Sequence, residues 1–176
     1  QVTKSRRATL NSGVDLQYGE IDVVHPEEQV VALTDGREFA YDMLIIATGV
    51  SPRPDQTDGM LGPEWRKSVH EFYSYDGSVT LAEKLKNWPG GRLVVNIVDM
   101  PIKCPVAPLE FAFLADDFFK DKGLRDKVEM TYVTPLPGAF TKPIAAEAFG
   151  TTLDDKGIAV ESDFMLMEID NDKKAL

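Results

Sequence analysis

The chain has 176 residues, 43% hydrophobic and 27% charged, the balance of an ordinary soluble globular protein with room for one good core or two small ones. A formal net charge of −10 argues against binding a nucleic-acid backbone. One cysteine excludes an internal disulfide framework or a cysteine-rich zinc site, two scattered histidines (His25 and His70) offer no metal-ligand spacing, and no apolar run is long enough to span a bilayer.

The chain starts without Met in the polar stretch Gln1 to Ser12 and stops just after a turn signal, so an internal segment of a longer protein is expected. Val14 to Val24 alternates loosely, with Val14, Leu16, Tyr18, Ile21 and Val23 as inward candidates. Gln29 to Thr34 reads as a strand, Asp35-Gly36 as a hairpin turn, and Arg37 to Tyr41 as the completion of a small antiparallel meander. Next, Met43 to Ala47 is a continuous apolar run, as in a parallel strand covered on both faces. It ends in Ala47-Thr48-Gly49, where a hydroxyl and a missing Cβ leave a flat or phosphorylated ligand room against the main chain. A plain core strand followed by a turn fits the same residues. Val50 to Pro63, with Pro52, Pro54, Pro63, Gly59 and Gly62, is a loop or domain crossover.

Helices and strands then alternate. Val79, Ala82, Leu85 and Trp88 stand at helical spacing over Ser78 to Asn87, and Pro89-Gly90-Gly91 ends the pattern. Leu93 to Val98 reads as a buried strand and Met100 to Ala107 as a proline-dense loop. Pro108 suits the first position of a helix that runs through Leu109 to Lys120 and stops near Gly123. Val128 to Thr134 is a strand, Pro143 to about Lys156 a helix, and Ile158 to Glu161 and Phe164 to Ile169 are strands. The expected fold is therefore α/β: a parallel Rossmann-like sheet with helices on both faces, preceded by a small antiparallel meander. The expected divisions are residues 1–50, a crossover and first helix over 51–91, and a second domain over 92–176.

The loop around Cys104 sits where a dinucleotide-binding unit would place its glycine-rich turn, yet it holds prolines 101, 105 and 108 and no glycine. Prolines remove N–H donors and stiffen the turn, so NAD(P) binding is not expected there. The loop offers a thiol instead. Lys103 and the positive end of the following helix both favour a thiolate at Cys104, although a lone cysteine also fits a small buried apolar position.

Three stretches together carry a resemblance. They are Tyr41-Asp42-x-Leu44-Ile45-Ile46-Ala47-Thr48-Gly49, Lys103-Cys104-Pro105-x-Ala107-Pro108 and Tyr132-Val133-Thr134-Pro135. Together they resemble the sulfide:quinone oxidoreductase and flavocytochrome c sulfide dehydrogenase group of the FAD-dependent pyridine nucleotide-disulfide oxidoreductases. The Ala-Thr-Gly strand is common to that superfamily, and the Lys-Cys-x-x-Ala-Pro loop is far more specific. The resemblance implies a flavoprotein, with residues 1–50 as part of an FAD-binding domain and 92–176 as a truncated second nucleotide fold. It implies sulfide as substrate, quinone or a cytochrome as acceptor, and a redox-active cysteine pair to which Cys104 contributes one member. Ala47, Thr48 and Gly49 match the stretch near bound FAD, and Lys103 and Pro105 are placed with them as cofactor-binding candidates. The family's FAD fingerprint, its partner cysteine and its membrane-anchoring helices are absent from these residues. The chain alone is thus expected to be soluble and inactive, and to hold no FAD tightly. The parent is expected in the cytoplasm or peripheral to a membrane, and a homo-oligomer is compatible with it. An NAD(P)H-dependent flavin reductase and a non-catalytic α/β binding domain are the rivals.

Other features read more plainly. Phe111, Phe113, Leu114, Phe118 and Phe119 suit a helix core, and Asp116-Asp117 and Asp154-Asp155 suit solvated helix faces. His25 reads as a turn residue and His70 as part of a polar loop.

Overall fold

The computed structural model describes residues 3–176, and the chain forms two compact units, Gln1–Gly49 and Val50–Leu176. The first unit holds a single helical turn, α1 (Arg6–Thr9), and an antiparallel sheet of β1 (Ile21–His25), β2 (Val30–Leu33) and β3 (Glu38–Ala40) in the order β1-β2-β3. Gly36, at a φ of +85°, closes the β2–β3 hairpin in the left-handed region that favours glycine. A bulge between Ile21 and Val23 resets the alternation of β1. Val24 is consequently half-buried, while the expected inward residues Ile21 and Val23 are exposed, as are Val14 and Tyr18 ahead of the strand. Leu33 is buried, and Gly19 packs so closely on it that a Cβ there would stand 2.3 Å from the Leu33 side chain.

The apolar run expected as a buried strand takes another form. Residues 43–47 belong to no strand, and Met43, Ile45 and Ile46 lie in the open. A strand exists only where a neighbouring strand receives its N–H and C=O groups, and no strand of this unit pairs with the run.

The second unit carries α2 (Tyr75–Asn87), β4 (Gly91–Asn96), α3 (Ala107–Asp121), β5 (Val128–Val133), α4 (Pro143–Asp155) and β6 (Ile158–Glu161). The three strands are parallel in the order β4-β5-β6, with Leu93 opposite Met130 and Met130 opposite Ile158. A parallel sheet with helical crossovers, together with a separate antiparallel sheet, is the expected fold class, but α3 and α4 pack on one face of the parallel sheet and not on both faces as expected. Alternation puts Val128, Met130 and Tyr132 on one face, where they join Val95, Ile158, Leu109, Ala112 and Phe119 of α3 and Leu153 of α4 in the core. The other face carries Arg92, Val94, Glu129 and Ala159, all exposed.

Helix ends follow local chemistry. Proline opens both α3 and α4, and the left-handed Gly123 and Gly157 follow their ends. The helix expected from Ser78 begins at Tyr75, because the Ser74 hydroxyl accepts the Gly77 N–H at 3.0 Å and caps it. The strand expected over Phe164 to Ile169 does not form. There the Phe164 N–H bonds the Thr134 carbonyl and the Ile169 N–H bonds the Asp58 carbonyl, so its main chain is divided between two loops and leaves one isolated bridge between Asp58 and Glu168. Among the described residues no helix is long and apolar enough to cross a membrane.

Candidate functional site

Residues 97–106 leave the carboxyl end of β4 and turn into α3, at the sheet edge where α/β folds hold their ligands. Lys103 is exposed, and Cys104 and Pro105 are half-buried. The Cys104 carbonyl is the anchor of the turn. It accepts the N–H of Ala107, the first residue of α3, at 3.3 Å and the Tyr73 hydroxyl at 2.9 Å.

Tyr73 is itself held by the segment that starts α2. The Glu71 carboxylate accepts the Tyr73 amide at 2.7 Å and the Ser74 amide at 2.9 Å, and also the Ser74 hydroxyl. Burial pushes the Glu71 carboxyl up, but these bonds outweigh it and leave its pKa below the ordinary value. Gly77 makes room for this arrangement, since a Cβ there would stand 2.0 Å from Glu71 Oε1 and 2.5 Å from the Glu71 carbonyl. Phe72 stacks on Tyr73 at 5.2 Å and on Phe111 of α3 at 4.8 Å, tying the segment to the helix that follows the cysteine. Burial raises the Tyr73 phenol above its usual value, and the neighbouring Cys104 raises it further. Tyr132 is raised by its own deeper burial and by Tyr73. Both phenols therefore stay protonated, as hydrogen-bond donors, at neutral pH. Nothing in the sequence separates Tyr73 from the exposed Tyr75 two residues on, so its role was not legible there.

The expected site residues fall into two groups. Lys103, Cys104 and Pro105 stand together in the second unit. Ala47, Thr48 and Gly49 stand together at the end of the first, exposed and in no strand. Gly49 has a φ of +71° with open space where a Cβ would be.

Two of the plainer sequence readings are overturned. Asp116 is fully buried, not on a solvated face, and its carboxylate meets Lys120 at 2.6 Å, Arg125 at 2.6 Å and Lys156 at 2.9 Å. Helical spacing cannot reveal partners at positions 125 and 156, which the fold alone brings in. Arg125 also donates to the carbonyls of Val128 and Lys156, so the cluster ties α3 to the starts of β5 and β6. His70 lies in a loop, as read, but is half-buried with its ring nitrogens turned inward, and burial pushes its imidazole pKa down. With Phe72, Leu81, Trp88 and Phe111 it lines a groove of about 350 Å³ along β4, and the unpartnered Asn96 Oδ1 lies there too. Leu114 and Phe118 of the expected helix core are exposed, whereas Phe119 is fully buried.

No family model matches the chain. It is 27% identical over 172 residues to the mitochondrial sulfide:quinone oxidoreductase of Dictyostelium discoideum, covering 97% of this chain and 38% of that protein. Its fold is similar to the sulfide:quinone oxidoreductase from the hyperthermophilic bacterium Aquifex aeolicus, with a TM-score of 0.68 and 20% identity over 86% of this chain and 35% of that one. It is similar also to a ferredoxin reductase from Rhodopseudomonas palustris, with a TM-score of 0.67 and 18% identity over 97% of this chain and 38% of that one. The two structures share the architecture, while the sequence likeness runs to the sulfide:quinone oxidoreductases. The chain spans less than half the length of each.

Proposed function

From this likeness to sulfide:quinone oxidoreductases, we propose that the chain is part of an FAD-dependent enzyme that oxidises sulfide through Cys104 and passes the electrons to a quinone or a cytochrome. Residues 1–50 then belong to the FAD-binding domain, 51–91 to a crossover with the first helix, and 92–176 to the second nucleotide fold. The carrying observation is the place of Cys104: a half-buried thiol just before α3, at the carboxyl edge of a parallel sheet, in a chain similar along 97% of its length to such an enzyme.

The residues at 47–49 fit a flavin cofactor on local grounds. They are exposed, Gly49 leaves open space, and no hydrogen bond joins their main chain to other described residues, so their N–H and C=O groups are free for a ligand. Ala47, Thr48 and Gly49 of the first unit and, separately, Lys103 and Pro105 of the second are the proposed cofactor-binding residues. When bound, FAD supplies a two-electron acceptor.

The sulfur chemistry needs a second cysteine, which these 176 residues do not contain. Hydrosulfide attacks a disulfide between that cysteine and Cys104; the S–S bond breaks, one sulfur keeps the added sulfur as a persulfide, and the other leaves as a thiolate. The NAD(P)H-reductase alternative would require a phosphate cradle after β4, and a loop of prolines without glycine is a poor one.

Cys104→Ser in the complete flavoprotein tests the assignment, since a hydroxyl keeps the size but forms no persulfide. FAD should remain bound while sulfide-dependent flavin bleaching slows by about a hundredfold or more, as for loss of a nucleophile. Near-normal bleaching would remove Cys104 from the mechanism.

A further inference from the structure

We propose that Tyr73 is a positioning residue for Cys104: its hydroxyl, donated to the Cys104 carbonyl, holds the thiol-bearing turn at the start of α3. This rests on the proposed role of Cys104 and adds to it a residue from a separate part of the fold.

The helix itself does not supply the restraint. Val106 at its N-cap offers no side-chain hydrogen bond, and the prolines at 105 and 108 have no N–H. What fixes the turn is therefore the Cys104 carbonyl, and it has two donors. The Ala107 N–H, at 3.3 Å, is local and long, whereas the Tyr73 hydroxyl, at 2.9 Å, reaches across 31 residues.

Tyr73 is rigid enough to act as a fixed point. Its amide is bonded to Glu71, its ring stacks on Phe72, and Phe72 stacks on Phe111, one turn into the helix that Cys104 precedes. The phenol is thus braced from the same helix whose start it restrains. A free turn would let the sulfur drift from the line of attack that thiol–disulfide exchange requires. The raised pKa of Tyr73 fits the role, because a phenol that stays protonated stays a donor.

The single cysteine makes the test clean. Cysteine labelled with carbon-13 at the carbonyl gives one resonance, which reads the hydrogen bond directly, and iodoacetamide alkylation of the same residue reads the thiol. Tyr73→Phe keeps the aromatic stack and removes only the hydroxyl. The expected result is an upfield move of the Cys104 carbonyl resonance together with alkylation slower by about threefold or more at neutral pH, the thiolate having lost its fixed place. Leu153→Ala, buried in α4 and outside this aromatic stack, is the control for mere packing: it should lower the unfolding temperature while alkylation stays within about twofold. A lowered unfolding temperature in Tyr73→Phe with alkylation unchanged would make Tyr73 structural and overturn the proposal. Faster alkylation would make it a cover over the thiol, and would equally overturn it. A Cys104 inert in the unmutated chain would remove the proposed function, and this inference with it. A reactive Cys104 indifferent to Tyr73 would remove this inference alone.

Discussion

The antiparallel meander and the parallel sheet are built from the same residue types and reach opposite ends of burial. In the first unit Leu33 alone is buried among the described residues, and Ile21, Val23, Ile45 and Ile46 are exposed. In the second unit one face of the sheet is closed by α3 and α4, and Phe119, Tyr132, Leu153 and Ile158 are almost wholly inaccessible. The same contrast recurs across the thickness of that sheet, for Val95 is buried while its neighbour Val94, on the other face, is exposed. Apolar patterning marks which side chains can be buried, and a covering element decides which ones are. An open face is unusual for a parallel sheet, whose strands are normally covered on both sides.

The largest expected effect tests that difference directly. Phe119 packs edge-on against Trp88 and Phe118 with no exposed surface, so Phe119→Ala should cost about 3–5 kcal/mol in lost burial and an unfilled cavity. Leu33→Ala in the meander removes a buried side chain with far fewer buried neighbours, and should cost less than about 2 kcal/mol because the site collapses more readily. Denaturant unfolding of the two variants gives the comparison. Equal losses would mean that the meander has a core as tight as the sheet's.

Next in size is Asp116, whose carboxylate holds three cations, from α3, from the segment before β5 and from the residue after α4. Burial alone would raise its pKa, but the bonds from Lys120, Lys156 and Arg125 win and lower it to about 2 from an ordinary 3.8. A depressed carboxylate stabilises the fold above its unfolded value, and that contribution is lost as pH falls from about 4 towards 2. Asp116→Asn should therefore cost about 2 kcal/mol at neutral pH, leaving three cations crowded together, and should remove part of the acid sensitivity. Urea unfolding near pH 7 and near pH 3 checks both. If the variant loses as much stability between those values as the parent chain does, the cluster is not what acid attacks.

How far the residues alone foretold this depends on the range of the interaction that decides each feature. The β2–β3 hairpin, the helices opened by Pro108 and Pro143, and the glycine stops at 123 and 157 are settled within a few residues, and all were readable. The candidate loop was readable for the same reason, since Lys103, Cys104 and Pro105 are contiguous. Asp116 was misread because its partners Arg125 and Lys156 lie 9 and 40 residues away and meet it only in the folded chain. Tyr73 was missed for a like reason: its one informative contact is 31 residues distant. Residues 43–47 and 164–169 show the complementary error. Their composition suits a strand, but a strand is a property of a pair, and their pairing partners are not supplied by the adjoining elements.

The smallest expected effect falls on that same apolar run, and its smallness is the point. Ile45 is 81% exposed and Ile46 70% exposed, with no ladder on either side. Replacing either by Ser removes apolar surface already in water, so the unfolding free energy of this chain should change by no more than about 0.5 kcal/mol. A buried strand would respond very differently: truncating an isoleucine in a packed core costs about 2–5 kcal/mol, and a hydroxyl without a partner costs more. The two expectations differ by several times the error of a denaturant titration. A loss above about 2 kcal/mol in Ile46→Ser would place the run in a covered sheet within this chain and would erase the contrast between the two units. A negligible loss would leave the exposed face of residues 43–49 available for the cofactor proposed to lie against Ala47, Thr48 and Gly49.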